Sequence, residues 1–257
     1  MLSKFKYGTF GLKKEWIEMF LTDGESIFSK PFLGPRQKDS LFYYLKDIEL
    51  INSENQINFN LFNAIEKIYK KERIESKTLW SLLFLNLCFN SPLFLWWTQL
   101  PNSKYTRNRI LELMVIDYGK QNRYVTNGLM SLIGTFEYTP IGSDLKIGII
   151  TCNGRERSVK KEGGFLFDPY VILYTIYKLA ERTGKHEFTI EELGKDQYGP
   201  QKMLIINDDY IRKKLLAIEG NELLEIELTD DMFLVKLNSQ KSQMDVLKLY
   251  LNKEGIT

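Results

Sequence analysis

The spacing of apolar positions predicts that most of this chain is helical. One helix is expected over residues 12–22 and another over residues 35–48, each with apolar side chains three or four positions apart. Apolar residues on either side of a polar turn, at residues 50–51 and 57–59, then predict a short hairpin. Helix, connector, helix and hairpin is the order of a winged helix-turn-helix, so residues 1–70 are predicted to form an N-terminal winged-helix-like unit.

The middle of the chain, residues 71–143, is predicted to be a helical bundle. Its helices are expected at residues 78–89, 107–118 and 126–134. The stretch from Leu79 to Trp97 is close to the length of a bilayer span, but a polar cluster with a proline interrupts it, which is costly in lipid. We therefore expect a buried helix, a turn and a second short helix, with no membrane partner. The tandem Trp96 and Trp97 is expected in the core rather than under stacked bases.

The last part of the chain, residues 144–257, is predicted to be a C-terminal winged-helix-like unit with a basic loop and a closing helix. The predicted elements are a strand at 144–152, a loop at 153–164, helices at 168–182, 189–193 and 207–219, a hairpin at 223–237 and a helix at 247–251. Asp168 before a proline and the Thr189–Glu192 capping box mark two helix starts. The third helix of this unit carries Arg212, Lys213 and Lys214.

The predicted fold class is therefore mainly α with small β-hairpins, that is α+β, in which two winged-helix-like units flank a helical middle. Hydrophobic residues make up 44% of the 257 residues, enough for a sizeable core. Cys88 and Cys152 form no CxxC pair, which is typical of a reducing compartment, and the N-terminus lacks the apolar core of a signal peptide. The expected location is the cytoplasm.

The net charge of +2 does not by itself indicate nucleic acid, so the argument rests on where the cations lie. The predicted second helix begins with Arg36, Gln37 and Lys38, and Lys30 precedes it. In helix-turn-helix modules such a helix start enters the major groove of duplex DNA. The alternative is a solvated helix start in a protein-interaction module.

A second group of cations falls in the predicted glycine-containing loop. It consists of Arg155, Arg157, Lys160 and Lys161. Charges spread along a loop can reach separate phosphates, so this loop is predicted to follow a phosphate backbone. The alternative is a solvated charged loop, and the spacing is not that of a P-loop.

Several kinds of chemistry find no support in the sequence. His186 is the single histidine, so neither a histidine-based zinc site nor a Ser–His–Asp triad is predicted. Three adjacent carboxylate pairs begin at Glu191, Asp208 and Asp230, and a helix start, a cap and a turn explain them. No metal ligand or catalytic residue is assigned, and the question of a DNA nuclease using Mg²⁺ or Mn²⁺ stays open.

Taken together in order, several segments resemble a bacterial domain-of-unknown-function family linked to DNA phosphorothioation islands. They are the G-T-F-x-L-x-x-x-W run from Gly8, the run LGPRQKDSLFYYLKDIELI from Leu33, the Thr78-Leu79-Trp80 block with FLWW after it, and Asp168-Pro169. The family includes the SspB-type subunit of the single-strand phosphorothioation defence system. The resemblance implies duplex DNA, partner subunits of a modification and defence complex, and metal-dependent nicking.

One departure from the family pattern affects the catalytic expectation. Family members often carry a His-Glu pair just before the Thr-Phe, where this chain has Tyr7-Gly8. No catalytic residue is therefore carried over. The leading hypothesis is a DNA-binding subunit of a phosphorothioation and anti-phage defence system, with nicking unresolved. The alternative is a non-catalytic winged-helix adaptor or transcriptional regulator that binds partner proteins or an operator.

Overall fold

The computed structural model describes residues 6–154, 156–163, 166–229 and 232–256. The elements of its first part are α1 (Lys14–Asp23), a 3₁₀ helix (Gly24–Ser29), α2 (Pro35–Asp47), α3 (Phe59–Glu72), α4 (Lys77–Asn90), α5 (Pro92–Gln99), β1 (Lys104–Thr106), α6 (Arg107–Tyr118), α7 (Arg123–Tyr138), α8 (Pro140–Ser143), β2 (Ile149–Asn153) and β3 (Glu156–Lys160). Those of the second part are α9 (Pro169–Thr183), β4 (Glu187–Thr189), α10 (Ile190–Lys195), α11 (Pro200–Leu204), α12 (Asp208–Leu216), β5 (Leu224–Thr229), β6 (Met232–Leu237) and α13 (Gln243–Lys253). The predicted mainly helical α+β class is confirmed.

Helix α4 lies at the centre of the core and packs against α2, α3, α5, α8 and α9. Every residue from Leu79 to Phe89 is buried. A helix that is apolar on all sides has no face to turn toward water, so other elements must cover it all round. Helix α9 is similar, since it is buried from Pro169 to Ala180.

A buried amide ties these two helices together. The Asn86 amide nitrogen donates to the carbonyl of Ile48 at 3.1 Å, and the Tyr174 hydroxyl donates to the Asn86 amide oxygen at 2.9 Å. Asn86 and Tyr174 are both fully or almost fully buried. A single side chain thus satisfies polar groups from the end of α2 and from α9 that would otherwise be unpaired in the core.

The predicted buried helix, turn and second short helix around residues 79–97 are confirmed. Among the described residues, no single helix is long and apolar enough to cross a membrane, and the apolar pair α4 and α5 is bent by 103°. Trp97 is buried and its indole N–H donates to the carbonyl of Ile147 at 2.8 Å. Trp96 is partly exposed and donates to the carboxylate of Asp117.

The N-terminal part contains the two predicted helices, but the expected hairpin is reduced to one antiparallel bridge between Ile51 and Ile57. Its turn is closed by the Asn52 side chain, whose amide oxygen accepts from the backbone N–H groups of Glu54 and Gln56. The apolar side chains of both bridge residues pack against the core. The segment therefore contributes to packing and does not extend into a longer strand pair.

A three-stranded antiparallel sheet of order β1-β3-β2 joins residues on both sides of the predicted boundary at 143/144. Tyr105 of β1 and Ile150 of β2 both pair with Val159 of β3. Residues 156–160, predicted as part of a loop, therefore form the central strand. Val159 is the only apolar residue of this segment. The hydrogen bonds that hold β3 in the sheet come from β2, which precedes it by a short turn, and from the distant β1.

The C-terminal part follows the predicted order closely. Its sheet has the order β4-β6-β5, and Phe188, Val235 and Ile226 lie side by side across the three strands. The Thr189–Glu192 capping box is present, and Asp168 and Asn207 cap α9 and α12. The closing helix α13 is longer than expected and packs against α3 and α9, which links the two ends of the chain.

Replacing Asn86 with alanine tests the role of the buried amide. Asn86→Ala leaves the Ile48 carbonyl and the Tyr174 hydroxyl buried without this partner. We expect the free energy of unfolding to fall by about 1–3 kcal/mol for each group left unpaired. Urea denaturation followed by circular dichroism measures it. Asn63→Ala, on the exposed side of α3, is the control and is expected to stay within about 0.5 kcal/mol of the parent. Equal effects of the two changes would contradict the role given to Asn86.

Candidate nucleic-acid interface

The start of α2 presents the first predicted group of cations. Arg36 is exposed and Lys38 is half-buried, and neither forms an ion pair with a described carboxylate. The Gln37 side chain instead caps the N-terminal end of α2, since its amide oxygen accepts from the backbone N–H of Gly34 at 3.1 Å. Lys30 lies 3.2 Å from a carboxylate oxygen of Asp23. Arg36 and Lys38 are thus the cations of this group that remain available to a ligand, and the positive end of the helix adds to them.

The second predicted group does not form one loop surface. Arg157 lies on β3 and makes a two-pronged ion pair with Glu137 of α7, at 3.0 and 3.2 Å. Lys160, at the end of the same strand, pairs with Glu162 at 3.3 Å. Arg155 lies outside the described residues. Arg157 and Lys160 remain partly exposed, so they stay within reach of a ligand.

The expectation that Lys161 contacts phosphate as a loop cation needs correction. Its side chain is only 3% exposed, and its ammonium donates to the carbonyl of Thr98 at 2.7 Å and to that of Leu100. The reason is local: the chain turns inward after β3, and the backbone N–H of Lys161 donates to the carbonyl of Ser103. An ammonium held this way is directed into the protein and away from the outer face of β3.

The cations of α12 lie beside aromatic rings. The Arg212 guanidinium is 5.9 Å from the centre of the Phe233 ring, and the Lys214 ammonium is 5.3 Å from that of Tyr210. Cation–π contacts of this kind are weak at an exposed position and leave the charge accessible.

Sequence reasoning missed a cleft of about 430 Å³ between the N-terminal segment, α6, α7 and β3. Its lining residues are Thr9, Phe10, Gly11, Lys13, Arg107, Met130, Ile133, Gly134, Glu137, Tyr138 and Arg157. Arg107 is exposed and no described carboxylate pairs with it. The Lys13 ammonium lies 5.6 Å from the ring centres of both Trp16 and Tyr138. Three cations from distant parts of the sequence thus meet one carboxylate, Glu137.

The wall of this cleft depends on a close approach of two glycines. A Cβ atom on Gly11 would lie 2.2 Å from the backbone of Gly134, so the N-terminal segment can touch α7 only without a side chain there. The Thr135 hydroxyl holds the contact by accepting from the backbone N–H of Leu12 at 2.9 Å. Because Gly11 and Gly134 are far apart in sequence, no local pattern indicates the pair.

Tyr7, at the position where the resemblance leads one to expect a His-Glu pair, belongs to the core. Its ring stacks on Tyr44 with the centres 3.9 Å apart, and its hydroxyl donates to the carboxylate of Asp47. Burial, together with the nearby Asp47 carboxylate, raises the pKa of Tyr7 well above its usual value. Gly8 adopts φ 58°, a backbone conformation that favours glycine. The two positions are occupied by a packing residue and a turn residue.

The distribution of charge singles out one part of the chain. Residues 104–161 contain ten Lys and Arg against five Asp and Glu, a net charge of +5 in a chain whose total is +2. The cleft takes Arg107, Glu137 and Arg157 from this region. The excess of cations therefore lies in the unit built on the β1-β3-β2 sheet, which the sequence reasoning had divided in two.

Among the described residues, no group of three or more His, Cys, Asp or Glu side chains is placed to hold a metal ion. The Glu137 carboxylate of the cleft is engaged by Arg157, and the Asp47 carboxylate accepts from Tyr7 and Lys6. These two carboxylates are thus occupied by neighbouring donors, and among the described residues neither belongs to a group of acidic side chains of the kind that a Mg²⁺ or Mn²⁺ site requires.

The fold and surface define a mainly helical protein with two small antiparallel sheets and a cationic cleft beside one of them. Among solved structures, the chain is similar to a crystal structure of magnesium ion-bound SspB, with a TM-score of 0.71 and 13% identity. It is also similar to another SspB crystal structure, with a TM-score of 0.69 and 14% identity. Each alignment covers 96% of this chain and 86% of the other. The expected SspB-type likeness is confirmed at the level of the fold.

The sequence alone shows no such match. No family model matches it, and no curated protein matches it. At identities of 13% and 14%, the likeness to SspB shows the fold alone. The chemistry has to be inferred from this chain's own residues.

Converting Tyr7 to phenylalanine tests its role beside Asp47. Tyr7→Phe removes a buried donor to a carboxylate, which then keeps Lys6 as its side-chain donor among the described residues. We expect the free energy of unfolding to fall by about 1–3 kcal/mol, because a buried acceptor loses its partner. The matched change Tyr124→Phe, at an exposed position on α7, should have almost no effect. A Tyr7→Phe protein as stable as the parent in thermal and urea unfolding would refute this role.

Proposed function

We propose that this chain is a DNA-binding subunit of a bacterial DNA phosphorothioation and anti-phage defence system, acting with other subunits of that complex. The observation that carries the proposal is the surface formed by the cleft and the start of α2, where Lys13, Arg107, Arg36 and Lys38 are free of ion pairs with described carboxylates. The SspB fold over almost the whole chain supports the choice of system. Phosphate contacts from such cations supply most sequence-independent affinity for duplex DNA.

Residues 7–12 connect the two groups of cations. The Ser40 hydroxyl, one helical turn after Arg36, donates to the carbonyl of Tyr7 at 2.6 Å. Thr9 and Phe10, which follow directly, line the cleft that holds Lys13 and Arg107. The start of α2 and the cleft are therefore neighbours across one short segment. We infer that one stretch of DNA backbone contacts both.

The unit built on β1-β3-β2 supports a winged-helix mode of binding. A strand, three helices and a hairpin follow one another, with the first strand paired to the last. In this arrangement α7 takes the place of the groove-binding helix. Its first turn exposes Arg123 and Tyr124. The β2–β3 hairpin, which carries Arg157 and Lys160, takes the place of the wing.

We propose DNA binding without a nicking step, because the cations already described carry that role. One of the similar SspB structures is bound to magnesium. Among the described residues of this chain, no group of three or more His, Cys, Asp or Glu side chains is placed to hold such an ion. We call this the adaptor version of the function, with DNA and partner subunits as the ligands.

Removing the two free cations of α2 tests the interface. Arg36→Ala combined with Lys38→Ala should weaken binding to a random-sequence duplex and lower the salt slope, by about 0.9 for each phosphate that the protein no longer neutralises. Fluorescence anisotropy at several salt concentrations measures both. The control removes the same charge from the exposed side of α3 through Lys67→Ala and Lys70→Ala. If the α2 variant keeps the parent's affinity and slope, the assignment of this face fails.

A plasmid assay separates binding from nicking. Supercoiled plasmid incubated with the parent protein and Mg²⁺ or Mn²⁺ should stay supercoiled, because no described carboxylate cluster holds an ion for phosphodiester cleavage. Gel electrophoresis with and without chelator reports the result, and the α2 variant provides the binding-deficient comparison. Chelator-sensitive relaxation by the parent, abolished in that variant, would make the chain a nickase and overturn the adaptor version.

A further inference from the structure

A second cleft has a volume of about 440 Å³ and contains Lys161, the inward-directed cation of the second predicted group. It is formed by the turn between α5 and β1, the end of β3, and α11. Lys161 lines it, together with Thr98 and Leu100, whose carbonyls accept from the Lys161 ammonium. Its volume is in the usual range for small-molecule sites. The cleft sits where the two sheet-containing units meet.

The Lys161 ammonium is a buried charge without a counter-ion. In the part of the chain that the structure describes, no carboxylate lies within ion-pair distance of it, and Glu162 pairs with Lys160 instead. An ammonium has three N–H donors, of which two carbonyls take two. A buried charge left without an opposite charge is costly, and burial lowers the pKa of Lys161 to about 8.

A further feature of the same cleft indicates a ligand. Ile205, which lines it, adopts φ 56° and ψ 54°, a left-handed conformation that is rare for a β-branched residue. Strained backbone of this kind is uncommon and is found most often at binding and catalytic sites. Here it lies in the lining of the cavity that also contains Lys161.

We propose that this cleft binds a phosphorylated small molecule of about mononucleotide size. Its phosphoryl group pairs with the Lys161 ammonium through the N–H that the two carbonyls leave free. No described residue lines both this cleft and the cleft beside α7, so the site does not depend on the function proposed above. Bound at the junction of the two units, the ligand supplies the opposite charge for the buried ammonium.

Calorimetric titration of the full chain with deoxyadenosine 5′-monophosphate, inorganic phosphate and deoxyadenosine tests the proposal. We expect saturable binding of the nucleotide, weaker binding of phosphate, and none of the nucleoside. Lys161→Met should weaken nucleotide binding roughly tenfold to a hundredfold, the effect of removing one charged hydrogen bond. Lys248→Met, which removes an exposed ammonium on α13, should leave it unchanged. Absence of saturable nucleotide binding by the parent would overturn the proposal.

A second variant keeps the proposal testable if Lys161→Met fails to fold. Lys161→Gln, which keeps an N–H donor but removes the charge, should weaken the binding of the nucleotide and of inorganic phosphate alike. Nucleotide binding that survives both variants, each shown to be folded, would refute the site.

Competition with an oligonucleotide identifies the source of the phosphoryl group. A 5′-phosphorylated strand that displaces the nucleotide, where its 5′-hydroxyl counterpart does not, points to a DNA end, and no displacement by either points to a free nucleotide.

Discussion

The burial of α4 on all sides determines how the other helices are arranged. A helix without a polar face needs cover from every direction, and α2, α3, α5, α8 and α9 provide it. The Asn86 amide then fixes how these elements meet, since it serves the end of α2 and the Tyr174 hydroxyl of α9 at the same time. The N-terminal segment then crosses from α2 to α7, with Tyr7 and Leu12 buried in this core and Thr9 exposed.

That crossing creates the surface on which the functional argument rests. The segment is held by Ser40 of α2 at one end and Thr135 of α7 at the other. It forms one wall of the cleft with Lys13 and Arg107, close to the start of α2. The family resemblance leads one to expect a His-Glu pair in this segment, and here Tyr7 serves the packing instead. Residues 7–12 thus pack against the core on one side and line the cleft on the other.

Local signals predicted the helices well, because helix periodicity, caps and proline positions act within a few residues. Helix α6 spans residues 107–118 as expected, and the predicted capping box at Thr189 is present. Strand β3 was missed because Val159 is its only apolar residue and because its pairing with β1 joins segments far apart in sequence. The cleft was missed for the same reason: Lys13, Arg107 and Arg157 meet only through the tertiary fold. Lys161 was wrongly expected at the surface: it belongs to a basic run of the sequence, but the fold buries its side chain.

We propose that DNA contacts the face made by the start of α2, the cleft and the β2–β3 hairpin. Amide hydrogen exchange of the full chain, measured with and without a duplex, locates the contact. We expect slower exchange on DNA binding at residues 34–39, 107–112 and 149–160, with α12, β5 and β6 unchanged. Slower exchange confined to α12 and the β5–β6 hairpin would contradict it and move the interface to the C-terminal unit.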